Sequence, residues 1–291
     1  MAKRPRLKHY FTVDVEEHFQ VSALEPFVPR ARWETLDSRV VENTRAILRL
    51  LAEHGHRGTF FTLGWVAERA PALVREIADH GHEVASHGWD HRKVTDETPE
   101  QFRSSVRRAK DVLEQITGTP VHGYRAPSFS IVRGREWALE ILIEEGYSYD
   151  SSLFPIQRPG YGYATAQRDP HQLQISGATL DEYPPVTLRK LGVNLPAAGG
   201  AYLRLLPLAL VRAAIRQAEA RSQPATLYIH PWEIDPDQPR FPVPTLTRIR
   251  HYGGLARTSD RLRQLFRQFQ FTSILDAAVT NGTESPPKRA G

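Results

Sequence analysis

Tyr10-Phe11-Thr12-Val13-Asp14-Val15-Glu16-Glu17-His18 is a β-branched and aromatic run that ends abruptly in acids. Strand side chains alternate between faces, so Asp14 and Glu16 point one way while Val15 enters the opposite layer. Two carboxylates on one face at a strand end repel each other unless a cation or a proton is shared between them. A buried strand that ends this way marks the rim where a parallel α/β fold keeps its site.

The alternation of strand and helix patterns continues along the chain. Ser38–His54 has apolar residues at helical spacing, and the β-rich run Gly58–Leu63 follows. A helix is predicted over Trp65–His80 and a strand over Gly81–Ser86. Pro99–Thr117 reads as a helix before the strand Val121–Arg125, and Gly134–Glu145 as a helix before Tyr147–Asp150. The Pro-, Gly- and Tyr-rich stretch Phe154–Pro170 reads as an ordered loop. A helix over Leu205–Ala220, a strand over Ala225–His230, a helix over Ser259–Phe269 and a short strand over Phe271–Ile274 complete the pattern. Such repetition implies a mostly parallel sheet, either a barrel or a doubly wound layer, with functional groups at the strand C-terminal ends. Asp14, the Ser86–His91 loop, Arg125, Asp150 and His230 all fall at or just past such an end.

Composition narrows the chemistry. With 291 residues, 40% of them hydrophobic and 24% charged, the chain can bury a large core. It has no cysteine, which removes disulfides, a thiolate nucleophile and thiolate-ligated zinc. Any metal must be held by His, Asp or Glu, as in catalytic sites. The net charge is +5, but Lys and Arg are spread along helices, which argues against a nucleic-acid partner. No apolar run has the length of a signal-peptide core or a membrane span, so the expected location is cytoplasmic, with no membrane span. Nothing in the sequence assigns an oligomeric state.

Ser86-His87-Gly88-Trp89-Asp90-His91 sets two imidazoles at i and i+4, which can converge on one metal if the segment makes a helical turn. The chain has 12 His, so one such pair means little alone. Together with Asp14 and Glu16 it makes a hydrolytic metal site, in which one carboxylate binds and the other serves as general base. His230, at the end of Leu227-Tyr228-Ile229-His230-Pro231-Trp232-Glu233, is placed to protonate an amine leaving group. Arg125, in Tyr124-Arg125-Ala126-Pro127, can orient a carboxylate.

Thr12-Val13-Asp14, Ser86-His87 with His91, Arg125 with Pro127, and Leu227 with His230 resemble the motifs of the polysaccharide deacetylase (NodB-homology, carbohydrate esterase 4) family, in order and spacing. The stretches Thr12–Phe19 and Tyr149–Pro155 further resemble deacetylases encoded with exosortase and exopolysaccharide systems. The resemblance implies a distorted (β/α)7 barrel with a C-terminal extension and a divalent metal, usually Zn2+. It implies N-acetyl removal from an N-acetylated oligo- or polysaccharide. Asp14 then matches the general base, His87 and His91 the metal-binding histidines, Arg125 the residue that positions the base, and His230 the general acid. The family's commonest first motif has adjacent acids, whereas Val15 stands here. Glu16 is therefore the expected acidic ligand, with Glu17 as the alternative. Asp150 is the candidate for the acid that tunes the catalytic His. Residues 1–278 are expected to form one catalytic domain, including the extension at about 235–278, with a disordered tail over 279–291. Trp89, Trp232, Tyr161 and Tyr163 are candidates for stacking on sugar rings. The rival readings are an allantoinase-like hydrolase acting on a small amide and a non-catalytic carbohydrate-binding protein.

Overall fold

Because the residues of a strand alternate between two environments, the opening run can be burial-tested directly. In β1 (Lys8–Val15) every residue after Lys8 is buried. The computed structural model describes residues 7–158 and 160–280. After β1 come α1 (Val40–Glu53), β2 (Thr59–Thr62), α2 (Gly64–Arg69), α3 (Pro71–Asp79), β3 (Glu83–Ser86), α4 (Pro99–Thr117), β4 (Gly123–Tyr124), α5 (Trp137–Glu144) and β5 (Tyr149–Asp150). Then follow β6 (His171–Ile175), β7 (Ala178–Glu182), β8 (Thr187–Lys190), β9 (Val193–Pro196), α6 (Gly200–Leu205), α7 (Leu208–Glu219), β10 (Thr226–Ile229), α8 (Thr245–Tyr252), α9 (Thr258–Gln268), β11 (Gln270–Thr272) and α10 (Ile274–Thr280).

The main sheet runs in the order β10-β1-β2-β3-β4-β5-β7-β6. All neighbours pair in parallel except β6, which returns antiparallel on β7. β11 adds parallel to the start of β1. Just past β7, Pro185 bridges Thr226 of β10 in parallel, and the Val186 N–H donates to the Thr226 carbonyl at 3.0 Å. The two sides of the parallel set thus meet, which makes the distorted barrel.

Inside and outside follow the period of two. Phe11, Val13 and Val15 of β1 belong to the large core between sheet and helices. Tyr10 points the other way and packs with Phe61, Ala85, Tyr149 and Tyr183, closed from below by Ile274 and Ala277 of α10. Thr12 and Asp14 continue the inward face above that aromatic floor. The barrel interior is therefore layered, apolar at the base and charged at the strand C-terminal ends.

Four expectations differ from the structure. The helix expected over Trp65–His80 is broken at Ala70, because Pro71 lacks an N–H and starts α3 afresh. Pro207 likewise separates α6 from α7 within the expected Leu205–Ala220 helix. Two hairpins, β6–β7 and β8–β9, and helix α8 lie where no element was expected. α10 runs into the stretch read as a tail, and 281–291 lie outside the described residues. Among the described residues, no helix is long and apolar enough to cross a membrane.

Candidate metal and acid–base site

Asp14 and Glu16 reach the barrel mouth from the end of β1, His87 from the end of β3, Arg125 from the end of β4 and His230 from the end of β10. The register of parallel neighbours fixes this convergence: Asp14 pairs with Phe61, and Ser86, just before His87, pairs with Thr62.

Glu16, His87 and His91 form a buried cluster, with one donor atom from each lying within 4.8 Å of the others. Glu16 Oε2 is 2.8 Å from His91 Nε2 and 4.0 Å from His87 Nε2. Yet among the described residues no hydrogen bond of good geometry reaches that oxygen, and the two ring nitrogens lie close by it. A tetrahedral ion with bonds of about 2.1 Å spaces its ligand atoms by roughly 3.4 Å, and the two contacts bracket that value. His87 Nδ1 is 2.8 Å from the Arg125 carbonyl oxygen, which can only accept. Nδ1 therefore carries the proton and Nε2 keeps its lone pair, the form a metal requires. The donor set fits a divalent metal of borderline softness.

Electrostatics agree. Burial pushes His87 down to about 4, further helped by His91 and only partly resisted by Asp14 and Glu16, so the ring is neutral at pH 7. Burial alone would lift Glu16, but His91 and His230 overcome it and hold the carboxyl at about 2. The Trp232 indole N–H donates to the other oxygen, Oε1, at 3.1 Å. Glu17 points elsewhere: the Arg39 N–H donates to its Oε2 at 3.0 Å and the Ser38 hydroxyl to its Oε1, next to the start of α1. Of the two acids left open by the sequence, Glu16 is the one beside the histidines.

The segment 87–91 is not the helical turn that the i, i+4 spacing suggested. Gly88 (φ 74) and His91 (φ 59) are both in the left-handed region, which folds the loop back by turns. For a histidine this conformation carries strain of order 1 kcal/mol, and Arg30, which hydrogen-bonds the Asp90 carbonyl, braces it.

Arg125 is fully buried. Its guanidinium donates to Asp14 Oδ1 and Thr12 Oγ1, both at 2.7 Å, and to the hydroxyl and carbonyl of Ser151. It also covers the Phe61 ring at 4.2 Å. This fixes Asp14 through one oxygen and leaves Oδ2, which lies 3.8 Å from His230 Nε2. His230 Nε2 is also 3.7 Å from Glu16 Oε1. The amides near Arg125 are already engaged: the Arg125 N–H donates to Ser86 O and the Ala126 N–H to Ser152 Oγ.

Asp150 does not reach His230. It accepts from the Ser152 N–H at 3.0 Å and hydroxyl at 2.6 Å. It is buried beside Glu182, and burial lifts both acids above their ordinary values; the Asp150 charge raises Glu182 further, whereas a hydrogen bond with Glu182 partly offsets the rise of Asp150. The acid on His230 is Glu233, which accepts from Nδ1 at 2.6 Å and from the backbone N–H at 3.0 Å. Glu233 is itself paired with the buried Arg204 at 2.6 Å. Burial alone would lower His230, but Glu16, Glu233 and Asp14 together raise it to about 9. The signal for Glu233 was in the sequence, since an acid three residues after a His at the start of a helical turn can reach back to it. Arg204 lies too far along the chain for any local pattern.

The rings expected to stack on sugars have these surroundings. Trp232 is buried, stacked between His230 (5.1 Å) and His251 (4.4 Å). Trp89 lies under the Arg108 guanidinium. The Tyr161 hydroxyl meets that of Tyr202 at 2.8 Å, and Tyr163 donates to Glu136.

Residues 29–140 match the polysaccharide deacetylase family model. That stretch is similar to a polysaccharide deacetylase domain. Residues 151–278 match a domain of unknown function, DUF3473. His87, His91 and Arg125 lie in the deacetylase match, whereas Arg204, His230 and Glu233 lie in the second, so the two matched regions share one site. The chain is 30% identical over 105 residues to the peptidoglycan-N-acetylglucosamine deacetylase of Bacillus cereus, covering 36% of this chain and 38% of that protein. It is 33% identical over 100 residues to the chitooligosaccharide deacetylase of Azorhizobium caulinodans, covering 34% and 45% respectively. The match thus spans less than half the length of either curated relative. The fold is that of a provisionally named polysaccharide deacetylase from Mycobacterium smegmatis, with a TM-score of 0.63 at 18% identity over 100% of this chain and 96% of that one.

Proposed function

We propose that this protein is a metal-dependent hydrolase that removes N-acetyl groups from an N-acetylated polysaccharide of the extracellular type. The observation that carries the reading is the convergence of Glu16, His87 and His91 beside a separate acid–base pair, Asp14 and His230. Relatives of the matched stretch, named for peptidoglycan and chitooligosaccharides, support the substrate class. Glu16, His87 and His91 would hold the ion, with Zn2+ the metal best suited to one carboxylate and two imidazoles.

A divalent ion held there supplies Lewis-acid polarisation of the acetyl carbonyl and a lower pKa for water. The chain's own groups do the rest. Asp14, oriented by Arg125 through Oδ1, uses Oδ2 to take a proton from the attacking water. The water oxygen bonds to the carbonyl carbon as the C–N bond breaks. His230, whose Nδ1–H is held by Glu233, gives its Nε2 proton to the departing sugar nitrogen. The products are acetate and a free amine.

The test is acetate release from N-acetylglucosamine oligomers by zinc-loaded protein, with Asp14→Asn and His87→Ala in parallel. Release by the wild type, lost in both folded variants, supports the reaction and the roles. A wild type that binds one zinc but releases no acetate would leave the site and overturn the substrate; failure to bind zinc would overturn the site.

A further inference from the structure

The large hydrophobic residues exposed among those described are Leu191, Val193, Leu195, Leu205, Leu246 and Ile249. All come from two stretches that contain no Asp or Glu, 183–218 and 238–259. The segments that carry them adjoin one another. Leu188 and Leu195 of the β8–β9 hairpin line a recess with Tyr202 and Leu206 at the α6 end. Leu205 of α6 packs at Gly253, just past α8, and Gly253 lies against the Ile249 carbonyl. Arg204 ties α6 to the end of α8 through the carbonyls of Arg250, His251 and Gly253.

The cations on this face are exposed and lack acids. Arg189 and Lys190 flank the hairpin tip, and Arg248 and Arg250 flank Ile249; none makes an ion pair with a described residue. The tip itself breaks a local rule. Leu191 (φ 49) and Gly192 (φ 79) form the turn, and the first position of such a turn favours Asn or Asp. A leucine here bears backbone strain while 93% of its surface faces solvent. A residue that is unfavourable both locally and in water points to a use outside the folded monomer.

We infer that this face docks on an anionic lipid bilayer, the hairpin tip and the α6–α8 leucine and isoleucine entering the interface while Arg189, Lys190, Arg248 and Arg250 meet lipid phosphates. Apolar insertion combined with unpaired basic side chains is the chemistry that binds anionic membrane surfaces peripherally. A protein partner would need complementary acids, and a second copy would set these cations against their own kind. The same α6 carries Arg204 inwards to Glu233, so the candidate site lies directly behind the docking face. The inference does not depend on the reaction proposed above.

The test is co-sedimentation of the full chain with vesicles of phosphatidylcholine alone or mixed with phosphatidylglycerol. Binding is expected to the mixed vesicles only, and to weaken with salt. Leu191→Asn is expected to reduce binding on the order of tenfold without lowering the thermal midpoint, since Asn-Gly suits the turn. The Arg248→Gln, Arg250→Gln double variant is expected to bind more weakly and with less salt dependence. Absence of binding to the mixed vesicles, or undiminished binding by Leu191→Asn, overturns the inference. So does a concentration-dependent dimer in sedimentation velocity that Leu191→Asn abolishes, because the face is then a contact between copies.

Discussion

Glu233 links two functions that a local reading keeps apart. Its Oε1 holds the His230 Nδ1–H and its Oε2 holds Arg204, so it orients the His230 ring and neutralises a buried cation. Glu233→Gln keeps the shape but removes the charge and replaces one of the two accepting oxygens with an NH2 donor. Acetate release is expected to fall by about 10²- to 10⁴-fold, while zinc stoichiometry, measured by metal analysis of purified protein, stays at the wild-type value. A parallel loss of zinc would make Glu233 part of the metal support instead. Arg204→Leu removes the other partner and leaves the Glu233 charge buried. It is expected to lower stability by about 3 to 5 kcal/mol, read from the urea midpoint at constant m-value.

The elements show why some boundaries follow from local chemistry and others do not. α4 runs from Pro99 to Thr117, as its sequence predicts, because both ends carry their own stop signals. Thr98 and Gln101 form a reciprocal capping box, and Gly118 closes the helix in the left-handed conformation (φ 69). Thr98→Ala should lower stability by about 1 kcal/mol, again seen in the urea midpoint, with no change in activity. β4 is a different case. A Cβ on Gly123 would lie 1.9 Å from the Tyr149 ring of neighbouring β5, so Gly123→Ala should sharply reduce soluble, folded protein. The β6–β7 hairpin was legible in principle, since Ser176-Gly177 (φ 50 and 84) interrupts an alternating run. Its strands are only half-buried and carry polar residues, which blurs the alternation.

The whole molecule sets the response to acid and to metal. Burial, the largest cause in both cases, lowers His82 to about 4 and His251 to about 3. In the unfolded chain each titrates near ~6.5, so the unfolded state binds more protons between these values. Stability is full above pH 6.5 and is lost as pH falls towards 4, by of order 3 kcal/mol per ring. Urea midpoints across that window should fall steeply, and His82→Gln should flatten the curve; an unchanged slope would show that ring to be solvated. Metal acts in the opposite sense. An ion held only by the folded state raises the melting temperature, adding about 2.7 kcal/mol at a hundred times its Kd. Calorimetry should show that rise for the wild type and none for His87→Ala.

The sequence alone determined the strand–helix alternation, the strand ends that bear function, and the residues Asp14, Glu16, His87, His91, Arg125 and His230 as a candidate set. These are short-range properties: periodicity, turn chemistry and motif spacing each act within a few residues. Tertiary structure alone chose Glu16 over Glu17, because only Glu16 faces β3's loop while Glu17 turns to Ser38 and Arg39. It also moved the acid on His230 from Asp150 to Glu233, and it brought in Arg204 from another helix. Which buried charge meets which depends on how parallel strands register and how the barrel closes. Those are contacts between residues far apart in the chain, and no local pattern encodes them.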